Sequence, residues 1–557
     1  MFGLWECCTS CCDNVYEEVL EEPEPFSLPS PLPQWPKGKD FSTGKICLGE
    51  IEVVKITQFD KIWSCSPSRG KAKGVTFYKP IEISDGYFSL GHYCQPSDRH
   101  LRGYVLVAKD ISSSTSPALE KPLSYTLIWS SDSYHNESGY IWLPNPSEGY
   151  KATGFVITTD PNEPNLEEVR CVREDLTESC EVSEVIFDKN SLFSNNQFYV
   201  WTTRPCQRGM LCKGVPTGTF FCSKNESSNE ELNILCLRNL DSSLLAMPNL
   251  EQVHALIKNY GPTVYFHPDE AYLPSSVSWF FENGALLYKY GREKGLIVDS
   301  KGSNLPGGGI NDREFWLDLP ENDDDRDRVK CGKIETAELY VHVKPASGGT
   351  FTDIAMWVFC PFNGSATIKA GLLNYTFDRI GQHVSDWEHY TLRVSNFNGE
   401  LWSMYFSEHS GGEWLDASEL EFIEGNKPIV YASKSGHASF PHEGCYIQGS
   451  TKLGFGARND CAKSKYSVDS STRYRIVAAE YLGEEIAEPH WLQYMREWGP
   501  TLVYDSRSEL EKILKHLPFF IRFSVENFVE LFPTELYGEE GPTGPKEKDN
   551  WLGDERC

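Results

Sequence analysis

The chain has 557 residues, of which 40% are hydrophobic and 13% aromatic, a composition typical of a folded protein with more than one domain. Its formal net charge of −28 opposes contact with nucleic acid, and no long run of Lys or Arg forms a separate basic segment. No apolar run of about 18 residues or more predicts a membrane-spanning helix, so we expect any membrane contact to be peripheral.

The cysteines and the N-terminus bear on the cellular compartment. The 18 cysteines lack the regular spacing of a disulfide framework. The chain opens without the charged and apolar regions of a secretory signal. These features predict a cytoplasmic protein with reduced cysteines, whose membrane association would be peripheral, on an endomembrane or the plasma membrane.

Residues 1–44 predict a flexible Cys- and Pro-rich segment. Four cysteines lie close together beside apolar residues: Cys7, Cys8, Cys11 and Cys12. Acylation of these thiols would anchor the segment to a membrane. The alternatives are exposed thiols on a flexible terminus, or a metal site. Phe2 excludes N-myristoylation, which requires Gly.

Residues 45–225 contain a repeated pattern of aromatic, Pro and Gly positions. Two copies share one order: Ile62-Trp63-Ser64, Phe77, Pro80, Gly86-Tyr87 and Gly91 in the first, and Ile128-Trp129-Ser130, Trp142, Pro144, Gly149-Tyr150 and Gly154 in the second. A shorter third copy runs from Val200-Trp201-Thr202 to Gly218-Thr219-Phe220. Short strands repeated three times predict a pseudo-threefold, β-prism-like domain. Its tryptophans are expected to be core wedges rather than ligand platforms.

Residues 240–535 predict a β-sandwich with a few helices. One helix is expected from Asn249 to Tyr260, because its apolar residues share one face and Gly261-Pro262 ends it. Runs of β-branched and aromatic residues then predict strands: ELYVHV, TDIAMWVFC, HYTLRV, LWSMYF, PIVYAS and YRIVAAEY. A second helix is expected over 508–516. Residues 536–557 predict an extended C-terminal tail, and the whole chain is predicted to be mainly β.

The most specific local pattern is QHVSDWEHYTLRV, where His383, Asp386, Glu388 and His389 lie within seven residues that lead into a strand. In a strand alternate residues share a face, so Asp386 and Glu388 point together and Trp387 points away. A divalent cation would relieve the repulsion between the two carboxylates. Oxygen ligands with one imidazole suit Mg²⁺, Mn²⁺ or Ca²⁺ better than zinc, and we expect Mg²⁺ or Ca²⁺. The alternative is a solvated strand face with ordinary cross-strand charge pairs.

Two turns supply further candidates for the pocket. YASKSGHASFPHEG carries His437, which would reach the carboxylates if the strands return antiparallel. YFHPDEAYLPSSV carries His267 beside Asp269 and Glu270 in a Pro-flanked turn. We therefore predict metal ligands from His383, Asp386, Glu388 and the nearby Asp378, and a ligand pocket lined by Trp387, His389, His437 and His267.

Taken in this order, the motifs resemble two known families. The whole chain, from the MFG start through the Trp and Gly-Tyr repeats to GPTGP, resembles the plant branch of the vacuolar protein sorting-associated protein 62 family. The second half resembles, more distantly, the necrosis-and-ethylene-inducing toxin family. Four of the seven positions of that family's hallmark heptad, Gly-His-Arg-His-Asp-Trp-Glu, agree with Q-H-V-S-D-W-E here.

The toxin resemblance implies a cation pocket on a β-sandwich that assists binding to sphingolipid headgroups. His383, Asp386 and Glu388 occupy matching positions, whereas Gln382, Val384 and Ser385 replace the glycine, arginine and second histidine. The resemblance therefore implies cation binding. The missing arginine leaves headgroup recognition without one of its contacts.

The resulting functional prediction is a non-enzymatic peripheral binding protein of vacuolar protein sorting or membrane trafficking. Its ligand pocket would be organised by a divalent cation and would accept a protein or a lipid headgroup. One alternative is a metal-dependent hydrolase, although no G-x-S-x-G, H-E-x-x-H or Walker-type motif is present. The other alternative is a toxin-like membrane-active protein.

Overall fold

The computed structural model describes residues 25–65, 74–131, 138–189, 198–224, 232–370, 373–409, 411–450, 455–503, 538–539 and 541–556. The predicted acylation sites Cys7, Cys8, Cys11 and Cys12, and the helix predicted over 508–516, lie outside the described residues. The prediction of a mainly β chain is confirmed, since strands outnumber helices throughout the described ranges.

Three consecutive groups of short strands form the first half of the chain. The first group is β1 (Lys45–Cys47), β2 (Ile51–Ile56), β3 (Phe59–Cys65), β4 (Val75–Pro80), β5 (Phe88–Ser89), β6 (Tyr93–Pro96) and β7 (Val105–Asp110). The second is β8 (Leu119–Glu120), β9 (Ser124–Ser130), β10 (Tyr140–Asn145), β11 (Tyr150–Lys151), β12 (Val156–Thr158) and β13 (Cys171–Arg173). The third is β14 (Thr177–Glu178), β15 (Cys180–Lys189), β16 (Phe198–Pro205), β17 (Gly214–Val215), β18 (Phe220–Ser223) and β19 (Cys236–Arg238).

Each group builds two small sheets, and their strand orders agree apart from the additional strand β1 in the first group. The orders are β3-β4-β6 with β1-β2-β7-β5, then β9-β10-β12 with β8-β13-β11, then β15-β16-β18 with β14-β19-β17. The prism-like arrangement itself stays a prediction, which this shared order supports. Strand β19 pairs with β14 and β17 and so belongs to the third group. The first half therefore extends beyond its predicted end at residue 225.

Glycines at matching positions of the three groups lie two residues before β6, β12 and β18. A Cβ atom added to Gly91 would lie 2.9 Å from the Cα atom of Gly154 and 2.8 Å from Cγ2 of Thr219. A Cβ on Gly218 would collide with the carbonyl oxygen of Tyr104. The repeated glycines are therefore required by close backbone approach. The tryptophans pack in the core as predicted, with the rings of Trp63 and Trp129 5.7 Å apart.

The second half contains three α-helices among the described residues: α1 (Leu250–Tyr260), α2 (Val277–Glu282) and α3 (Asp323–Lys330). Its strands are β20 (Thr263–Phe266), β21 (Leu286–Lys289), β22 (Leu296–Ile297), β23 (Phe315–Asp318), β24 (Leu339–Ala346), β25 (Phe351–Asn363), β26 (Thr367–Ala370), β27 (Leu373–Thr376), β28 (His383–Ser395), β29 (Leu401–Glu408), β30 (Gly411–Asp416), β31 (Phe422–Ile423), β32 (Lys427–Ala432), β33 (Ser439–Phe440), β34 (Gly444–Ser450), β35 (Phe455–Cys461), β36 (Ser467–Asp469), β37 (Tyr474–Ala478), β38 (Leu502–Val503) and β39 (Gly538–Glu539). Short 3₁₀ turns lie at Glu174–Leu176, Ile334–Thr336, Ser347–Gly349, Ala417–Glu419, Glu480–Glu485, His490–Gln493 and Pro545–Glu547.

A six-stranded sheet of order β30-β29-β28-β25-β24-β37 lies at the centre of this half. One side packs on α1, β20 and β32 through an apolar core that includes Leu256, Val264 and Val430. The opposite side packs on α2, β21 and β23 through a second core rich in aromatic rings. Helix α1 matches its prediction, with Asn249 as a side-chain cap reciprocated by Gln252. The central strands are thus buried on both sides.

The described part of the predicted flexible segment 1–44 packs on the second half. Nε1 of Trp35 donates to the carbonyl oxygen of Asn398 at 2.9 Å, and its ring lies 6.0 Å from that of Tyr260. Ser30 exchanges hydrogen bonds with the side chain of Asn426. Trp35 is partly buried, and these bonds hold the described part of the segment against the second half.

The described part of the tail predicted over 536–557 packs on the sheet. Trp551 is buried and stacks on His342 with ring centroids 3.9 Å apart. Lys344 donates to the carbonyl oxygens of Asn550 and Gly553, the latter at 3.0 Å. A low-complexity stretch rich in Gly, Pro and charge predicts an unpacked tail, but the sheet supplies partners for its backbone carbonyls.

We expect Trp551→Ala to lower the free energy of unfolding by about 3–5 kcal/mol, because it empties a buried aromatic site. Chemical denaturation of the full chain measures this. The control is Leu552→Ala at the neighbouring position, where the side chain is exposed and the change should be small. Equal effects of the two substitutions would contradict the packed C-terminal segment.

Candidate functional site

Strand β28 contains the pattern that stands out in the sequence, and it lies between β25 and β29 in the six-stranded sheet. Because side chains alternate along a strand, Asp386 and Glu388 face one side and Trp387 the other. Trp387 packs there against Tyr340 and Phe359, with ring centroids 5.7 and 4.9 Å apart. The two carboxylates are therefore neighbours on the side away from the aromatic core.

His437 is the partner of Asp386. Its Nδ1 lies 2.8 Å from Oδ2 of Asp386, and its Nε2 lies 2.8 Å from the carbonyl oxygen of Tyr272. Because a carbonyl oxygen only accepts, Nε2 carries a proton, and a second proton on Nδ1 makes the ring a cation paired with the carboxylate. Burial acts to lower the pKa of His437, but interactions with Cys360, Asp386 and Glu270 outweigh it and hold that pKa well above its usual value.

The two carboxyl groups differ in protonation. Burial acts to raise the pKa of Asp386, yet the hydrogen bond and charge of His437 bring it below its ordinary value. Burial, followed by the charge of Asp386, raises the pKa of Glu388 to about 8. Oγ of Ser407 donates to Oε2 of Glu388 at 2.8 Å. At neutral pH the pair therefore holds one negative charge and one carboxyl proton.

Glu270 completes the cluster. Its buried carboxylate accepts backbone N–H bonds from Ser435 at 2.6 Å and from Tyr272 at 2.9 Å. Its Oε2 lies 3.8 Å from Nε2 of His437. The sequence instead predicts His267, from the same turn, as a pocket residue. Only the tertiary structure shows that Glu270, three residues later, points at His437.

The backbone around the cluster adopts an uncommon conformation at three residues. Ser385, Ser435 and His437 have φ angles of 60°, 69° and 55°, in the left-handed region that non-glycine residues rarely occupy. Such conformations cost free energy and concentrate at ligand-binding and catalytic sites. The side-chain oxygen of Ser385 is also buried without a hydrogen-bond partner among the described residues.

The remaining predicted site residues do not join this cluster. His383 donates through Nδ1 to the carbonyl oxygen of Ser385 at 2.6 Å, and Asp378 is exposed. His389 stacks on Trp357 at 4.4 Å, on the opposite side of the sheet from the carboxylates. His267 accepts the backbone N–H of Asp269 at 3.1 Å. The physical reason is alternation: β28 begins at His383, so His383, Trp387 and His389 are all out of phase with Asp386 and Glu388.

The side chains present fit a divalent cation only in part. Across the described ranges, no group of three or more His, Cys, Asp and Glu side chains is arranged to hold a metal ion. The oxygen donors on the shared side of β28 are Asp386, already paired with His437, and Glu388, which keeps a proton below about pH 8. A cation at this point would have to displace that proton and compete with the imidazolium.

The fold and the cluster define the chain as a mainly β protein whose second half carries a buried charged site. The sequence model of the vacuolar protein sorting-associated protein 62 family matches residues 22–555. The chain therefore belongs to this family. No curated protein matches the sequence.

Similar solved structures cover smaller parts of the chain. One is the crystal structure of GNIP1Aa from Chromobacterium piscinae, at 17% identity and a TM-score of 0.29 over 37% of this chain; the alignment spans 40% of that chain. NLPPya in complex with glucosamine aligns at 12% identity and a TM-score of 0.21, covering 41% of this chain and 74% of its own. Necrosis and Ethylene inducing Protein 2, from the causal agent of cocoa's Witches Broom disease, aligns at 11% identity and a TM-score of 0.20, with the same coverages. At these scores the likenesses carry no argument about function.

We expect Glu388 to make the protein less stable as the pH rises from about 5 to about 8. Its pKa is raised from 4.5 to about 8 in the fold, so over this range the folded state holds a proton that the unfolded chain has lost. The stabilisation is full below the unfolded pKa and is lost as the pH passes the folded one. Chemical denaturation at several pH values measures the trend.

The variant Glu388→Gln isolates this effect. Its side chain stays neutral, so its free energy of unfolding should fall less than that of the parent chain over the same pH range. Glu282→Gln, at an exposed position of α2, is the matched control and should leave the pH dependence of the parent chain unchanged. Identical slopes for the parent and Glu388→Gln would mean that Glu388 titrates normally.

Proposed function

We propose that the chain is a non-enzymatic peripheral binding protein of membrane trafficking, with a ligand pocket in its second half. The name of its family associates the family with vacuolar protein sorting. The ligand class that we propose is a protein or a lipid headgroup. The cluster of buried Asp386, His437 and Glu270 with the partly buried Glu388 organises the pocket.

The main support for this proposal is the ion pair between Asp386 and His437 in the core. Asp386 and His437 are both buried, and removing charges from water costs free energy that an apolar pair would not cost. Left-handed backbone at His437 itself, and at Ser385 and Ser435 nearby, adds strain. Buried charges with shifted pKa values in a strained setting favour a functional site over a purely structural one.

A divalent cation, Mg²⁺ or Ca²⁺, remains part of the proposal. Asp386 and Glu388 are the carboxylates that would hold it, and they supply the oxygen ligands that both ions prefer. When bound, the ion would neutralise the two carboxylates and offer a positive centre to an anionic ligand. Binding would require Glu388 to lose its proton, so the ion and the proton compete.

This competition predicts a pH-dependent affinity. We expect Mg²⁺ or Ca²⁺ to bind more tightly as the pH rises from about 6 to about 8, by up to about tenfold per pH unit, because one proton leaves Glu388. Titration calorimetry in buffers of different ionisation enthalpy measures both the affinity and the released proton.

Three variants test whether Asp386 and Glu388 bind the ion. Asp386→Asn and Glu388→Gln should abolish binding, and Asp324→Asn, at an exposed carboxylate of α3, should leave it unchanged. If the parent chain takes up neither ion at any pH tested, the cation is removed from the proposal. A pocket organised by the Asp386–His437 pair alone would then remain.

A second candidate, a metal-dependent hydrolase, is favoured by one observation. A carboxyl with a pKa of about 8 beside an imidazolium is suited to proton transfer near neutral pH. The test is turnover of ester and phosphoester substrates by the full chain with Mg²⁺ or Ca²⁺. Turnover that is lost in Glu388→Gln, and kept in Asp324→Asn, would replace the binding role with an enzymatic one.

A further inference from the structure

The sheet β22-β21-β23 ends in an exposed turn that combines apolar and basic side chains. Its inner residues Leu287 and Leu317 are buried in the aromatic core behind the six-stranded sheet. The turn between β21 and β22 exposes 78% of Tyr290, and the edge strand exposes 54% of Leu296 and 73% of Ile297. We call Tyr290, Leu296 and Ile297, with the cations described next, the hairpin patch.

Three cations surround the apolar part of the patch. A shallow groove of about 170 Å³ is lined by Leu287, Leu296 and Phe315, with Lys289, Arg292 and Lys294 as its only polar lining. Lys289 lies over the ring of Phe315 at 4.8 Å and within 3.6 Å of Glu314. Arg292 and Lys294 are exposed, and no acid of the described ranges lies within 4.0 Å of either. A groove lined only by cationic and apolar side chains is unexpected in a chain of net charge −28.

The exposure of the patch is also unusual for this chain. Among the described residues, five large hydrophobic side chains are more than 60% exposed: Leu123, Leu211, Tyr290, Ile297 and Ile310. Three of the five lie between residues 290 and 310. Arg496 packs on Gly309, the residue before Ile310, and lies over Phe315 at 5.2 Å. Clustered exposed apolar residues indicate an interaction surface.

We propose that the hairpin patch docks the protein on the interface of an anionic phospholipid membrane. Exposed Tyr, Leu and Ile side chains insert into the headgroup region, and Lys and Arg beside them bind lipid phosphates. The charge of the rest of the chain is repelled by such a surface, so the patch also fixes the orientation of the bound molecule.

An acidic protein partner would use the same three cations, but it gives a weaker reason for exposing Tyr290 and Ile297 at the tip of a turn. The docking is interfacial and involves no membrane span: no helix within the described ranges has both the length and the hydropathy to cross a bilayer. The inference gives the proposed peripheral role its membrane contact and does not involve the Asp386 cluster, so either can fail alone.

Co-sedimentation of the full chain with vesicles tests the proposal. We expect binding to vesicles of phosphatidylcholine mixed with phosphatidylserine, weaker binding to phosphatidylcholine alone, and loss of binding at high salt. Arg292→Ala with Lys294→Ala should weaken binding to the anionic vesicles by about fivefold for each cation. Ile297→Asn should weaken binding to the same vesicles, because it removes an inserting side chain.

Matched controls separate the patch from general effects. Lys463→Ala with Lys465→Ala removes two exposed lysines at the same spacing, and Leu211→Asn changes an equally exposed apolar residue elsewhere. Both should bind like the parent chain. Loss of vesicle binding in Asp386→Asn with Glu388→Gln, together with parent-like binding by the patch variants, would assign the lipid contact to the ligand pocket and overturn the patch.

Three outcomes would overturn the proposal. Vesicle binding that is unaffected by the patch variants would place the contact elsewhere. Binding that is equally strong to phosphatidylcholine alone would indicate non-specific apolar adhesion. Binding of a fluorescent polyglutamate peptide that depends on Arg292 and Lys294, with no sedimentation on vesicles, would make the partner an acidic protein. Circular dichroism confirms that each variant is folded.

Discussion

Strand β28 lies inside a six-stranded sheet that is covered on both sides, so water has limited access to the polar groups it carries. The hydroxyl of Ser385 stays without a partner among the described residues, but the two carboxylates and His389 find partners elsewhere in the chain. On one side, His437 pairs with Asp386 and Ser407 bonds Glu388. On the other side, Glu555 bonds both His389 and Thr391. The requirement to satisfy β28 determines where the turn of His437 and the C-terminal segment lie.

The C-terminal segment shows this dependence most clearly. Burial acts to raise the pKa of Glu555, but the charge of His389 and its hydrogen bond lower it to about 2, so the carboxylate stays ionised. Arg393 pairs with Asp353 at 2.8 Å and with Asp554 at 3.1 Å. The segment thus supplies carboxylates to His389 and Arg393. Without it, His389 would lose its carboxylate partner and Arg393 would keep only Asp353.

The Asp386 cluster and the hairpin patch show two opposite uses of charge. In the cluster, opposite charges neutralise each other in a buried, strained setting, so the energy of the site depends on protonation. In the patch, cations stand exposed around apolar side chains, so any energy they contribute depends on a partner and on salt. The two lie on opposite sides of the six-stranded sheet, since the cluster faces away from the aromatic core and β21 packs on it.

Much of the fold follows from local patterns in the sequence. The repeated Trp and Gly positions, the amphipathic helix α1 and the strand runs of the second half are local signals, because period and turn chemistry are fixed within a few residues. The same holds for the shared side of Asp386 and Glu388, which alternation alone predicts. Alternation also excludes His383 and His389 from that side once β28 is known to begin at His383.

What the sequence alone determined is therefore the type of its most strongly patterned elements and the faces of their residues. Only the tertiary structure decided that His437 neutralises Asp386, that Glu270 rather than His267 supports the pair, and that residues 541–556 pack on the sheet. These contacts join residues far apart in the chain. Their partners are selected by the free-energy cost of an unpaired buried charge, which depends on the three-dimensional surroundings and leaves no periodic signal in the sequence.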